Sequence, residues 1–206
     1  MTEKEVYFTL LNKLNFTQDS LYKLEIFCKE VLEYNKKFNL ISKSTEVNIW
    51  ERHILDSAQL VKFINFNNGS SLSDLGTGAG FPGIVLAIFN KNINFHVKLY
   101  EKSRVKTKFL SYICSKLDIN AVIYENDMRY HDIKSNYVVS RAFKKLEEHI
   151  YISREIIKVN HKLIILKGKS AQDEINKLNK DLNYSYSLEE SITNPESKIL
   201  IMEIKK

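Results

Sequence analysis

Glycine and proline are scarce in this chain, six and two in 206 residues, alongside two cysteines and one tryptophan. So little of either excludes collagen-like structure and low-complexity linkers. Cys28 and Cys114 stand far apart among apolar neighbours. That excludes a disulfide framework or a cysteine metal centre and leaves buried, reduced thiols. The five histidines form no H-x-x-x-H pair, so no metal is expected. Long apolar runs are missing too. The longest, around Ile84 to Phe89, is far short of the ~20 residues of a membrane span, and Met1-Thr-Glu-Lys-Glu5 lacks the apolar stretch of a signal peptide. The expectation is a soluble cytoplasmic monomer with no membrane partner.

What is present suffices for a packed core. Hydrophobic residues make up 44% and charged residues 27%, which excludes disorder. The length suits one domain, or one domain with an appended helical piece. Lysine and arginine exceed aspartate and glutamate by 31 to 25, a net charge of +6. An RNA partner is compatible with that excess, yet a Lys-, Asn- and Ile-rich composition arises from low-GC coding alone. Basic residues therefore carry weight only where they border chemistry.

Residues 1–66 read as a helical segment. Leu21, Leu24, Val31 and Phe38 recur near helical spacing behind Thr17, a candidate N-cap, and Trp50, Ile54, Ala58, Val61 and Ile64 form a second stripe. Asn67-Asn-Gly-Ser-Ser71 breaks the pattern. Residues 67–206 then alternate short apolar runs with amphipathic stretches. Strands are expected at 72–75, 96–100, 121–124, 137–139 and 163–166, and helices from Pro82 and over 103–116, 146–159 and 171–181. Such alternation implies an α/β fold with a mostly parallel sheet covered on both faces. Two final strand-like runs, 184–188 and 198–204, have no helix between them and suggest an antiparallel C-terminal addition.

Four of the six glycines fall in Asp74-Leu-Gly76-Thr-Gly78-Ala-Gly80-Phe81-Pro82-Gly83. Glycines there let a strand turn sharply into a helix and let backbone amides approach a ligand. Glu101 ends the next strand, where a carboxylate can accept from both ribose hydroxyls. Gly78 to Gly83 also matches the dinucleotide fingerprint G-x-G-x-x-G, with an acidic residue about 20 positions on. Asp74, placed to hold a cationic amino group, and the absence of room for a dehydrogenase substrate domain favour S-adenosylmethionine. Both ligands remain open at this point.

The chain resembles the RsmG family, also called glucose-inhibited division protein B, over nearly its whole length. The matching stretches are Asn39-Leu40, Arg52-His-Ile-Leu-Asp-Ser57, the glycine loop, Ser140-Arg-Ala142 and Leu166-Lys-Gly168. The resemblance implies a Rossmann-like class I methyltransferase sheet behind an N-terminal helical segment. It also implies transfer of a methyl group from S-adenosylmethionine to N7 of one guanine in the small-subunit (16S) ribosomal RNA. Gly76, Gly78 and Phe81 then become cofactor contacts with Asp74 and Glu101, Asp127-Met128-Arg129 the loop at the adenine, and Arg141 a cofactor-site arginine. Where the family has glutamate, this chain has Arg129.

Guanine N7 carries an in-plane lone pair and no proton, so its methylation needs alignment and no general base. The Asn/Asp-Pro-Pro-aromatic motif that orients an exocyclic amine is absent, and Ser140-Arg141 stands in its place. Asp56 is the candidate carboxylate for the positive charge of the product, with His53 and Arg141 beside it as the catalytic group. Arg52 and Asp56, four apart, also read as an exposed helical ion pair of little energy, and His53 as a packed core histidine. Arg52, Lys106, Lys144, Lys145 and Lys167 are the candidate RNA contacts. Two other functions fit parts of the pattern: a nicotinamide-dependent oxidoreductase and a non-catalytic RNA-binding ribosome-assembly protein.

Overall fold

A computed structural model describes residues 1–141, 144–178 and 184–206. Seven strands form one sheet: β1 (Ser71–Leu75), β2 (His96–Tyr100), β3 (Ala121–Tyr124), β4 (Tyr137–Arg141), β5 (His161–Lys167), β6 (Tyr184–Glu190) and β7 (Lys198–Ile204). Their order is β3-β2-β1-β4-β5-β7-β6. The β1–β2, β2–β3, β1–β4 and β4–β5 pairs are parallel, and β7 runs antiparallel to both neighbours. The chain winds outward from β1 to β3 and then crosses back to β4. The β1/β4 boundary is therefore the switch point, where open α/β sheets bind ligands at their carboxyl ends.

Strand alternation sends successive side chains to opposite faces. Ile164 and Leu166 of β5 join a core shared with the N-terminal helices α1 (Glu3–Lys13) and α2 (Gln18–Asn35) and with α5 (Gly83–Phe89) and α6 (Arg104–Leu117). Leu163 and Ile165 join a second core with α7 (Leu146–Ile156) and α8 (Ala171–Asn176). The helical segment thus shares its apolar core with one sheet face. Phe27 of α2 is fully buried, 5.0 Å from the Phe81 ring.

Local signals explain most boundaries. Thr17 caps α2 by accepting from the Ser20 amide. Phe38 lies past the helix and is 42% exposed, against the expected stripe. Asn35 stops the helix there, because its Oδ1 accepts from the Leu40 and Ile41 amides at 2.7 and 3.0 Å and turns the chain. The second stripe is one helical run of mixed pitch: π-helical over Trp50–Leu55, an α-turn α4 (Asp56–Ala58), then 3₁₀ over Gln59–Phe63. A short helix α3 (Lys43–Glu46) precedes it. The helix expected over 171–181 is observed to Asn176, and residues 179–181 of that expectation, like Ala142, lie outside the described residues.

Candidate active site

The glycine loop leaves β1 through three left-handed glycines, Gly76, Gly78 and Gly80, with φ of 71°, 61° and 100°. At Gly80 a Cβ would stand 2.5 Å from Ile84 Cγ1, so glycine is required by space as well as by φ. At Gly83 a Cβ would overlap Leu99 and the Asp74 carboxylate. That close approach lets the Gly83 amide donate to Asp74 Oδ2 at 2.7 Å and fixes the start of α5. Asp74 is fully buried and lines neither cavity described below. Burial pushes its carboxyl up to about 7, opposed by Thr77 and the Gly83 amide. Asp74 Oδ1 and Thr77 Oγ1 nonetheless have no hydrogen-bond partner among the described residues, the kind of buried acceptor and hydroxyl that a polar ligand satisfies.

Two neighbouring cavities open at the carboxyl ends of the strands, and Lys144 lines both. The first, about 370 Å³, lies beyond β1, β2 and β3 and is lined by Gly76, Glu101, Lys106, Asp127, Met128 and Arg129 among others. Glu101 braces the loop: Oε2 accepts from the Gly78 amide at 3.0 Å and Oε1 from the Ser103 amide at 2.8 Å. Both oxygens expected at the ribose are thus already engaged by backbone, leaving their second lone pairs for a ligand. Asp127 caps the turn Met128–Tyr130 and grips Arg129 with two bonds, 3.0 Å to Nε and 2.6 Å to Nη2. Arg129 holds the Asp127 carboxyl down at about 2. The arginine that departs from the family pattern therefore belongs to the same loop, clamped to its neighbour.

The second cavity, about 450 Å³, lies beyond β4 and β5 under the helical run 50–63. Arg141, at the end of β4, organises it. Its guanidinium donates to the Arg52 carbonyl at 2.9 Å and to His53 Nδ1 at 2.7 Å, stands 3.9 Å from Asp56 Oδ2 and lies over the Phe81 ring at 5.1 Å. A guanidinium only donates, so His53 Nδ1 is unprotonated and Nε2–H faces Thr45 Oγ1 at 2.8 Å. Burial, then Arg141 and Arg52, push the His53 imidazole down to about 3. His53 is a neutral bridge that orients Arg141. Burial raises the Asp56 carboxyl from its usual range while Arg141 and Thr193 pull it back.

The expected helical pair Arg52–Asp56 is replaced. Asp56 N–H donates five residues back to the Glu51 carbonyl, a π-helical spacing that takes positions four apart out of register, and Arg141 meets the carboxylate instead. Lys106, expected at the RNA, lines the first cavity. Lys167 is only 10% exposed and pairs with Glu174 at 2.6 Å, so its charge is spent bracing α8. Lys144 pairs with Glu148 at 2.7 Å on the surface, while Lys145 is exposed at the start of α7. Gln59 and Thr193 were not legible as site residues. Thr193 Oγ1 donates to Asp56 Oδ1 at 2.9 Å across 137 positions, a closure that only the completed sheet creates. Among the described residues no group of three His, Cys, Asp or Glu side chains is placed to hold a metal, and no helix is long and apolar enough to cross a membrane.

Comparison with known proteins agrees with this fold. In fold, the chain is similar to an S-adenosylmethionine-dependent methyltransferase from Aquifex aeolicus (TM-score 0.60, 14% identity, 78% of this chain and 94% of that one). It is likewise similar to Aeropyrum pernix fibrillarin, solved with natively bound S-adenosyl-L-methionine (TM-score 0.56, 12% identity, 75% of each chain). In sequence it is similar to the ribosomal RNA small subunit methyltransferase G of Pelagibacter ubique, at 33% identity over 97% of this chain and 96% of that protein. The Rickettsia felis protein of the same name is 38% identical over 89% of this chain and 93% of its own length. The family model for rRNA small subunit methyltransferase G matches residues 20–201, a span that takes in the glycine loop, the Arg52–Ser57 wall and the β6–β7 turn together, and the chain belongs to that family.

Proposed function

We propose that the protein transfers a methyl group from S-adenosylmethionine to N7 of a guanine in small-subunit ribosomal RNA. The observation that carries this reading is the end of β4, where Ser140 and Arg141 stand and no amine-orienting motif does. Ser140 is fully buried and meets His149 Nδ1 at 3.3 Å, so Arg141 alone faces the second cavity from that strand. When bound, S-adenosylmethionine supplies an electrophilic methyl on a positively charged sulfur. The residues present fit it: a glycine-rich loop whose buried Asp74 Oδ1 has no hydrogen-bond partner among the described residues, beside a cavity lined by Gly76, Glu101, Asp127 and Met128.

The protein's own part is to position and to shield. Asp74 and Glu101 hold the glycine loop open, and Met128 packs against the apolar core beneath the cavity. Arg52 and Arg141 present positive charge to a ribosomal RNA entering the second cavity; Lys144 lines it, and Lys145 is exposed next in the chain. Asp56 sets one negative charge where the purine becomes cationic, and no proton need move. Neither a nicotinamide oxidoreductase nor a cofactor-free assembly protein accounts for this family membership.

Labelled methyl transfer from S-adenosylmethionine to unmodified small ribosomal subunits, with nucleoside analysis, tests the reading. Label in N7-methylguanosine is expected. Label in another nucleoside would keep the methyltransferase and reject the target atom.

A further inference from the structure

We propose that Asp56 reads the Watson–Crick edge of the target guanine, accepting from N1–H and the N2 amino group, while Thr193 and Gln59 act as positioning residues for its carboxylate. The proposal rests on the guanine-N7 reading above and deepens it.

The carboxylate is held from one side only. Oδ1 accepts from Gln59 Nε2 at 3.0 Å and from Thr193 Oγ1 at 2.9 Å. Gln59 is itself fixed: it is 1% exposed, its Oε1 accepts from the Ile192 amide at 2.9 Å, and its Nε2 lies 3.1 Å from Ser191 Oγ. Ser191 Oγ in turn meets Thr193 Oγ1 at 2.9 Å. The β6–β7 turn thus locks onto the helical run 50–63 at one carboxylate oxygen. Oδ2 accepts no hydrogen bond among the described residues. Its nearest cation, Arg141 Nη1, is 3.9 Å away, close enough to balance charge and too far to occupy a lone pair. Asp56 and Thr193 both line the second cavity, and the Asp56 side chain is 19% exposed there.

An ionised carboxylate is acceptor-only. Guanine alone among the four RNA bases places two adjacent donors, N1–H and N2–H, on one edge. Adenine sets one donor beside an acceptor there, cytosine one donor beside two acceptors, and uracil flanks one donor with two acceptors. A fixed oxygen with free lone pairs therefore selects guanine and repels the others through acceptor–acceptor contact. Grasping that edge leaves N7, on the opposite side of the purine, unobstructed. As the N7–C bond forms and the S–C bond breaks, positive charge passes to the purine and N1–H becomes a stronger donor. The Asp56 bond then tightens in the transition state, which is the condition for it to raise rate as well as affinity.

The test compares kcat/KM for small subunits carrying guanosine or inosine at the target. Inosine lacks the N2 amino group and keeps N1–H and N7. The wild-type protein is expected to prefer guanosine by roughly 10- to 100-fold, the worth of one hydrogen bond to a charged group. In Asp56→Ala that preference should fall to about onefold, with S-adenosylhomocysteine affinity unchanged. Thr193→Val, which keeps the carboxylate and removes one of its anchors, should shrink the preference severalfold at unchanged S-adenosylhomocysteine affinity. If Asp56→Ala turns over too slowly to compare, Thr193→Val decides: an undiminished preference overturns the proposal. A wild-type protein indifferent to inosine, or an Asp56→Ala protein with the full preference, overturns it as well. Wild-type product other than N7-methylguanosine would instead reject the underlying reading, a distinct outcome seen in the same assay.

Discussion

The two cavities at the ends of the strands are built in opposite ways. The one at the glycine loop rests mainly on the turns that directly follow β1, β2 and β3, braced by left-handed glycines, by amides held by Glu101 and Asp74 and by an aspartate-capped turn, with Lys144, Glu148 and Ile152 closing it from α7 and its start. The one at Arg141 is made of side chains from remote segments, Thr45, Arg52, His53, Asp56, Arg141 and Thr193, joined by charge and hydrogen bonds. A cavity set on such local turns suits a ligand that is the same in every turnover. A side-chain-built cavity can be tuned to one base of one RNA, and it depends on every contributing segment arriving.

The largest effect is expected where the second cavity is hinged. Arg141→Lys keeps a charge but loses the planar fork that serves the Arg52 carbonyl and His53 at once. It should lower kcat/KM about 100-fold or more, roughly 3 kcal/mol, with S-adenosylhomocysteine affinity altered less than threefold. Calorimetric binding showing a parallel loss of cofactor affinity would move Arg141 to the cofactor side, where the family resemblance puts it. Gly80→Ala strikes the other cavity. The left-handed φ and the Ile84 contact together should cost about 2–3 kcal/mol of stability, read by chemical denaturation, with weakened S-adenosylhomocysteine binding.

A smaller effect separates the cavities by pH. His53 titrates at about 3 when folded, against 6.5 for the free imidazole. A depressed folded value means stability that is present above pH 6.5 and drains away as pH falls toward 3. His53→Gln should remove roughly 2 kcal/mol of the loss between pH 6.5 and 4.5, and wild-type turnover should show no limb from this histidine near 6.5. A His53→Gln stability profile that parallels the wild type down to pH 4.5 would show the imidazole to be ordinarily basic. Smallest is the loss of Lys144 and Lys145. The double alanine variant should bind ribosomal RNA a few-fold more weakly with a salt slope shallower by about 1.4 if both meet phosphate. Lys145→Ala alone should leave cofactor affinity as it was, since of the two only Lys144 lines the first cavity, and an unchanged slope in the double variant would remove both from the RNA footprint.

The same contrast explains what the sequence disclosed. Glycine spacing, the Thr17 cap and strand-length apolar runs act locally, so the sheet order's parallel core, α2, α6 and the loop were all legible. Ser71–Leu75, His96–Tyr100 and Ala121–Tyr124 fell within a residue of expectation. The Arg52–Asp56 spacing misled because it presumes α-helical pitch, and the π-turn at Trp50–Leu55 is invisible to periodicity. Gln59 and Thr193 were illegible for a stronger reason. A glutamine in an apolar stripe and a threonine in a β6–β7 turn carry no signal until β7 inserts beside β5 and brings the turn onto Asp56. Lys167 read as a candidate RNA contact, but Glu174 one turn into α8 claims it.

A crystal structure with S-adenosylhomocysteine tests the division between the cavities most directly. The ligand should lie along the glycine loop between Gly76, Glu101 and Met128, with the Arg52–Asp56–Arg141 cavity left open for RNA. Ligand seated on Asp56 and Thr193 instead would contradict the assignment of both cavities at once.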